Sequence, residues 1–222
     1  MSLLSILQLA SPQLPIGAYG YSEGIEFLVE QGVIYDSFSL DRWLRRELAY
    51  GSIRIDGGIL VRVYQGLAIA DYSTIVFWNN WLSAQRESEE LRIQSWVMGN
   101  ALVKLFNDIS DHPKIDLLNL DGDNYNYAVA FGMVAFYWEI ALGDAILSFL
   151  FAWVSNLVSA GIRSIPIGQT AGQKILLNLH SELKNSVPAI LSLQDEDLAS
   201  CNIGLALASM GHESQYSRLF RS

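Results

Sequence analysis

Gly20-Tyr-Ser22-Glu-Gly24 carries the G-x-S-x-G spacing that, in hydrolases, lifts a serine nucleophile onto a tight strand-to-helix turn. That chemistry needs a strand before the serine, and an acid and a histidine brought alongside it. Here Pro12 and Pro15 precede Ser22, and no parallel sheet is readable in the chain. A hydroxyl capping a helix that begins near Ser22 explains the same residue without catalysis. A small α-helical serine hydrolase using Ser22 stands as the rival reading. Gly168-Gln-Thr-Ala-Gly172-Gln-Lys174 imitates a phosphate loop, but it has three residues between its glycines instead of four. Gln173 also separates Gly172 from Lys174, and no serine or threonine follows the lysine. The segment reads instead as a turn feeding an amphipathic helix, with Gln169 and Gln173 bonding backbone groups. His112, His180 and His212 lie far apart without paired-ligand spacing, and Cys201 has no cysteine partner. No catalytic set, metal site or cofactor site emerges.

What remains is a surface suited to contact. The terminal stretch His212-Glu-Ser-Gln-Tyr-Ser-Arg-Leu-Phe-Arg-Ser222 interleaves Tyr216, Leu219 and Phe220 with Arg218 and Arg221. Chain ends stay poorly ordered unless something fastens them, so this tail docks on its own domain or on a partner. Aromatic and arginine side chains are those enriched at binding hot spots. Apolar helix residues end near Met210, which makes Gly211 the expected helix cap and 211–222 the tail. In the loop Gly17-Ala-Tyr-Gly20, which Pro15 stiffens, Tyr19 is expected to face a partner and Tyr21 to pack inward.

The elements that must carry these stretches are helices. Pro12 and Pro15 end a first helix, and a second begins near Ser22, with Glu23 and Glu26 at its positive end. Gly32 supplies its stop, and Ser39 is the next expected cap. Gly51, Gly57, Gly58 and Gly66 interrupt the helical repeat that runs on from Leu40, and suggest a break or a close helix approach. Further helices are expected at roughly 71–84, 86–108, 125–139, 142–161, 170–184 and 195–209. Asp111 to Asn124 is the most loop-like part. Strand signals are scarce, so the fold expected is all-α: a single compact domain of roughly eight to ten helices.

Composition narrows the function classes. The 222 residues are 51% hydrophobic and only 17% charged, which suits one well-filled core and not a disordered chain. A net charge of −9 argues against a nucleic-acid surface, which needs clustered Lys and Arg. Ile140 to Ile162 is long and apolar enough to suggest a membrane span. Asp144, Ser148, Ser155 and Ser159 fall on one side of it, however, opposite a stripe of Leu142, Ile146, Phe149, Trp153 and Leu157. It reads as a buried central helix, with a membrane-associated protein as a second alternative. Leu3 to Ala10 has no basic residue before it and reads as a packed helix, not a leader. With its single cysteine, the chain is placed in the cytoplasm.

Taken in order and spacing, Leu14–Glu26, Arg163-Ser-Ile-Pro-Ile-Gly-Gln-Thr-Ala-Gly-Gln-Lys174 and His212–Ser222 resemble the urease accessory protein UreF family. The likeness runs from about Leu3 to Ser222, and Glu89–Arg92 through Gly99–Leu102 fits the family's middle helix more loosely. The chain departs from the family at Ala18, Gly20 and Ala171. The resemblance implies an all-α, non-catalytic assembly factor that forms a homodimer and binds UreD (also called UreH). It further implies recruitment of the GTPase UreG and engagement of the urease apoenzyme, so that nickel reaches its active site. By the same resemblance Tyr19 and Arg218 sit together near the GTPase-recruiting surface. The expected partner contacts are Tyr19, Glu23, His212, Glu213, Tyr216, Arg218, Leu219, Phe220 and Arg221, with a hydrogen bond from Arg218 near Tyr19 fixing the tail. Pro15, Gly17, Ser22, Gly24, Pro166, Gly168, Gln169, Gly172 and Gln173 shape the motif backbones.

Overall fold

A helix that is apolar around its whole circumference can only sit inside a protein. That describes α7 (Tyr127–Tyr137), whose residues 128 to 135 are all buried. Around it pack α4 (Ile53–Ala68), α6 (Glu89–Ile109) and α8 (Leu142–Ser164), and one continuous apolar core joins them. The computed structural model describes residues 2–110, 112, 115, 124–199 and 202–222. Among these there are eleven α-helices and no strand. The remaining helices are α1 (Ser2–Leu9), α2 (Ile25–Glu30), α3 (Ser37–Tyr50), α5 (Tyr72–Gln85), α9 (Gln169–Asn178), α10 (His180–Leu191) and α11 (Ile203–Glu213).

The all-α expectation holds, but the helix number exceeds the eight to ten expected. One reason is that the helix expected over 170–184 breaks at Leu179, a buried residue joining α9 to α10. Near the C-terminus only Asp195–Asp197 forms a single 3₁₀ turn, and α11 starts later than the expected 195–209 helix. Cys201 and most of the Asp111–Asn124 stretch lie outside the described residues.

Two of three expected caps, Ser39 and Gly211, are corrected. Asp36, not Ser39, caps α3: its carboxylate accepts from the Ser39 amide at 2.8 Å, and Ser39 returns a bond from the third helical position. Serine at that position completes a capping box as Glu or Gln would. Ser22 lies two residues before Gly24, the cap of α2 by position, yet its hydroxyl oxygen does accept the Glu26 amide of the first turn at 3.4 Å while donating to the tail, as described below. Gly211 lies inside α11, which ends at Glu213 with Ser214 as its cap. By contrast Gly32, at φ 69°, does follow the last turn of α2, and Gly51 does separate α3 from α4.

α8 is the one described helix long and apolar enough to cross a membrane, and 61% of its apolar window is buried inside the protein. It packs against α1, α2, α4, α7, α9 and α10, which uses its length as a core helix.

Gly99 shows how tightly α6 meets the segment leading into α7. A Cβ there would overlap the backbone carbonyl of Tyr125, which cannot swing aside as a side-chain end could. Gly99→Ala is therefore expected to lower stability by about 1–3 kcal/mol. Gly143→Ala, whose Cβ would make an ordinary 3.8 Å contact with Val187, should be neutral or stabilising by up to about 1 kcal/mol. Urea midpoints of the two variants check the contrast.

Candidate functional site

The site begins with a close approach of two short helices. Gly24 precedes α2 at φ 77°, a left-handed conformation that favours glycine, and a Cβ there would also press on Ala208 of α11. Three residues further along α11, Gly211 faces the Phe27 ring just as tightly. With α11 pressed onto α2, the tail after Glu213 runs back across α2 and α6 toward the loop before Ser22. There Arg221 donates its amide to the Gly20 carbonyl at 2.9 Å, and Ser22 donates its amide to the Ser222 carbonyl at 2.8 Å. The Ser22 hydroxyl donates to that same carbonyl at 2.6 Å, and the Ser222 hydroxyl lies 2.5 Å from Oε1 of Gln94. Ser22 and Ser222 are both fully buried. A serine enclosed and bonded in this way is a fastening for the tail, not an accessible nucleophile.

Two carboxylates hold the rest of the tail. Glu26, in the first turn of α2, accepts the amides of Leu219 at 2.6 Å and Phe220 at 3.0 Å. Glu90, in the first turn of α6, pairs with Arg218 Nη1 at 2.7 Å. Between the two acids lies the buried ring of His212, 2.8 Å from Glu90 and 3.2 Å from Glu26. Glu213 accepts the Glu90 amide at 3.4 Å. Hydrogen bonds to ionised groups are the stronger kind, and five such contacts converge on these two acids from residues 212 to 220.

Arg163, at the last turn of α8, closes the other side. Its guanidinium stands 3.5 Å from the Tyr19 ring centroid and 4.2 Å from that of Phe220, and it donates to the Tyr19 carbonyl at 2.8 Å. A flat cation shared by two aromatic faces joins loop and tail into one surface. This corrects the expected bond from Arg218 near Tyr19: Arg218 turns to Glu90, and Arg163 does the joining.

Beneath the loop lies a cavity of about 100 Å³ whose polar lining includes Glu23, Asp56, Arg86, Gln94 and Asn156. Glu23 accepts from Trp153 at 2.8 Å and from Gln94 at 2.9 Å. Burial raises its pKa, and those bonds only partly oppose the rise. Asp56 is likewise raised by burial despite its ion pair with Arg86 at 2.9 Å. Nearby, burial pushes the Glu47 carboxyl up to about 7, with Glu23 and Glu87 adding like charge and an Asn202 bond opposing. Among the described residues no cluster of three or more His, Cys, Asp or Glu is arranged to hold a metal ion.

The structure therefore divides the expected contact residues. Tyr19 is 64% exposed and Leu219 63%, Tyr216 stands free of the surface, and Glu213, Arg218 and Arg221 are also exposed. Tyr21 is buried. His212 and Phe220 are buried, and Glu23 turns into the cavity, so these three side chains shape the surface instead of meeting a partner. Exposed Pro15 and left-handed Gly17 set the loop, with buried Ile16 between them. Pro166 and Gly168 lead into α9, and Gly172 lets α9 lie against Ile162. Gln169 and Gln173 are exposed and bond no backbone group among the described residues, because helix packing leaves them on the solvent side. Glu26, Glu90, Gln94 and Arg163 join the site without being among the expected contacts; Glu26 closes and Arg163 opens a motif, Glu90 lies in the Glu89–Arg92 segment, and Gln94 carries no signal.

A UreF family profile matches residues 34–180. A curated relative from Nostoc sp., named urease accessory protein UreF, is 49% identical over 99% of this chain and 95% of its own length. Relatives of the same name from Microcystis aeruginosa and Chromohalobacter salexigens are 50% and 37% identical, covering 97% and 95% of their own lengths. These alignments span the loop and the tail, both of which lie outside the profile's range.

Two consequences follow from the geometry. Arg163→Ala should speed amide exchange at Phe220 about 5- to 30-fold, the equivalent of about 1–2 kcal/mol of docking, while Arg163→Lys, without the flat face, falls between. For Glu47, whose carboxyl is raised to about 7 in the folded protein, the sign is set by proton binding. The folded state keeps a proton that the unfolded chain has already lost, so stability falls as pH rises from about 4.5 to 7. Glu47→Gln should then be more stable than the parent above pH 7, by on the order of 3 kcal/mol, with the gain vanishing below about pH 4.5 in denaturation curves.

Proposed function

The chain belongs to the UreF family, and on that premise we propose that it acts as a urease accessory protein, a non-catalytic adaptor for nickel insertion. In this reading residues 1–222 act in the cytoplasm as one UreF-like domain. The chain dimerises, binds UreD (UreH), recruits the GTPase UreG and engages the urease apoenzyme. GTP hydrolysis belongs to UreG; this chain supplies shape.

The observation that carries the reading is the composite surface of loop and tail. Tyr19, Tyr216 and Leu219 expose aromatic and apolar area, and Arg218 and Arg221 rim it, on a backbone fastened at both ends. Exposed aromatics on a rigid frame lose little conformational freedom on binding, which is what an anchor residue requires. The buried serine of the G-x-S-x-G motif supports an adaptor over a hydrolase, and the packed α8 supports a core helix over a membrane anchor.

Binding of UreG to the complex of this chain with UreD tests the reading. Tyr19→Ala and Leu219→Ala should each weaken recruitment about 30-fold or more, the scale of a 2 kcal/mol hot spot, without changing the helical signal. Deleting residues 214–222, which leaves α11 whole, should abolish it. Unchanged recruitment by the folded deletion variant would overturn the proposed surface.

A further inference from the structure

The exposed tips named above are not the only relief that the docked tail creates. Between the tail and α6 runs an open groove of about 470 Å³. Ile93 and Val97, one turn apart on α6, line it and are left 44% and 41% exposed. Tyr21 and Phe220, otherwise buried, border it, and Arg218 and Arg221 stand along its rim. The tail side of the groove is already fixed, since Glu26 takes the Leu219 and Phe220 amides and the Gly20 carbonyl takes that of Arg221. A groove formed before binding spares a partner the entropy of ordering it.

Exposed aliphatic residues are ordinary; the charges beside these two are not. Acids outnumber Lys and Arg by 23 to 14 in this chain. At the groove, however, two guanidinium groups share one carboxylate, and both oxygens of Glu90 are engaged, Oε1 by Arg218 and Oε2 by His212. Among the described residues the Arg221 side chain forms no ion pair and no hydrogen bond, while its amide holds Gly20. An arginine without an acid, set beside apolar area in an acid-rich chain, is complementary to a carboxylate that comes from outside. Nucleic acid would leave Ile93 and Val97 uncovered and would meet a net charge of −9. A second copy seated symmetrically on the groove would set arginine against arginine. A peptide that carries both an acid and an apolar side chain satisfies both halves.

We propose that this groove seats a segment of the recruited partner in which a carboxylate neighbours an aliphatic or aromatic side chain. The apolar side chain covers Ile93 and Val97, and the carboxylate takes the Arg221 guanidinium, whose planar donors match two oxygens. The inference rests on the recruitment reading and adds to it the chemistry of what is recruited. It also brings into the contact two α6 residues outside the loop and the tail.

Double-mutant cycles on the affinity of UreG for the complex of the full chain with UreD test it. Arg221→Ala should weaken binding about 10-fold, and Ile93→Ala with Val97→Ala about 10- to 100-fold, with the helical signal unchanged because all three side chains are exposed. An alanine scan of the aspartates and glutamates of UreG should find one acid whose loss costs nothing further once Arg221 is gone. An apolar neighbour of that acid should couple in the same way to Val97. Arg221→Glu should abolish binding, and exchanging the coupled acid for lysine should restore it. If Tyr19→Ala weakens recruitment while the Arg221 and Val97 variants bind as the parent does, the groove is empty and the recruitment reading stands without it. Coupling of Arg221 to an acid of UreD, or loss of self-association in place of UreG binding, would overturn the named occupant. Without recruitment by the parent complex both readings fall.

Discussion

Two carboxylates, Glu26 and Glu90, hold Arg218, Leu219 and Phe220 against the helices. Nine residues follow α11, and outside helices a backbone must find partners for its amides or leave them to water. Glu26 satisfies two tail amides, Glu90 takes the arginine, and both clasp the histidine in the last turn of α11. Each acid stands in the first turn of its own helix, where the dipole also favours negative charge. One feature thus serves helix start and tail anchor together. Glu26 fixes Leu219, while Arg163 holds Tyr19 and the Gly20 carbonyl holds the Arg221 amide.

The interior supports this arrangement at some expense in stability. Glu23, Glu47 and Asp56 are buried acids whose burial raises their pKa, and Arg86 is the enclosed cation among them. Glu23 ties the loop to α6 and α8 through Gln94 and Trp153, while Gln94 lies against the Ser222 hydroxyl as well. Polar groups placed in this way specify one position of the loop relative to the helices, which an apolar contact alone does not do. Natural proteins carry such locally unfavourable groups where geometry matters to function.

Much of the architecture was legible in the sequence, because helix periodicity and glycine punctuation are local. The all-α class, the stop at Gly32, the break at Gly51 and the inward turn of Tyr21 all follow from residues within a few positions of each other. The caps at Ser39 and Gly211 differ from the expectation for a local reason too: several nearby residues could cap, and Asp36 and Ser214 do so. The site itself was less legible. That the loop and the tail matter was readable from their aromatics and arginines, but their mutual fastening was not. Glu26 meets Leu219 and Phe220 across nearly the whole chain, and Arg163 meets Tyr19 from the far end of α8. A glutamate in a helix's first turn gives no hint of such a partner, and the resemblance that sets Arg218 near Tyr19 does not point to Arg163 as the residue that bonds it.

On the proposed reading, tail position, and not merely tail composition, makes the surface that recruits UreG. The most direct measurement is the affinity for UreG, in complex with UreD, of a chain carrying Glu26→Gln and Glu90→Gln together. That variant keeps every exposed contact residue and removes only the charges that hold them in place. Recruitment should be lost while the helical core stays folded. Recruitment at full affinity, with the Leu219 and Phe220 amides shown to be unprotected, would contradict that reading.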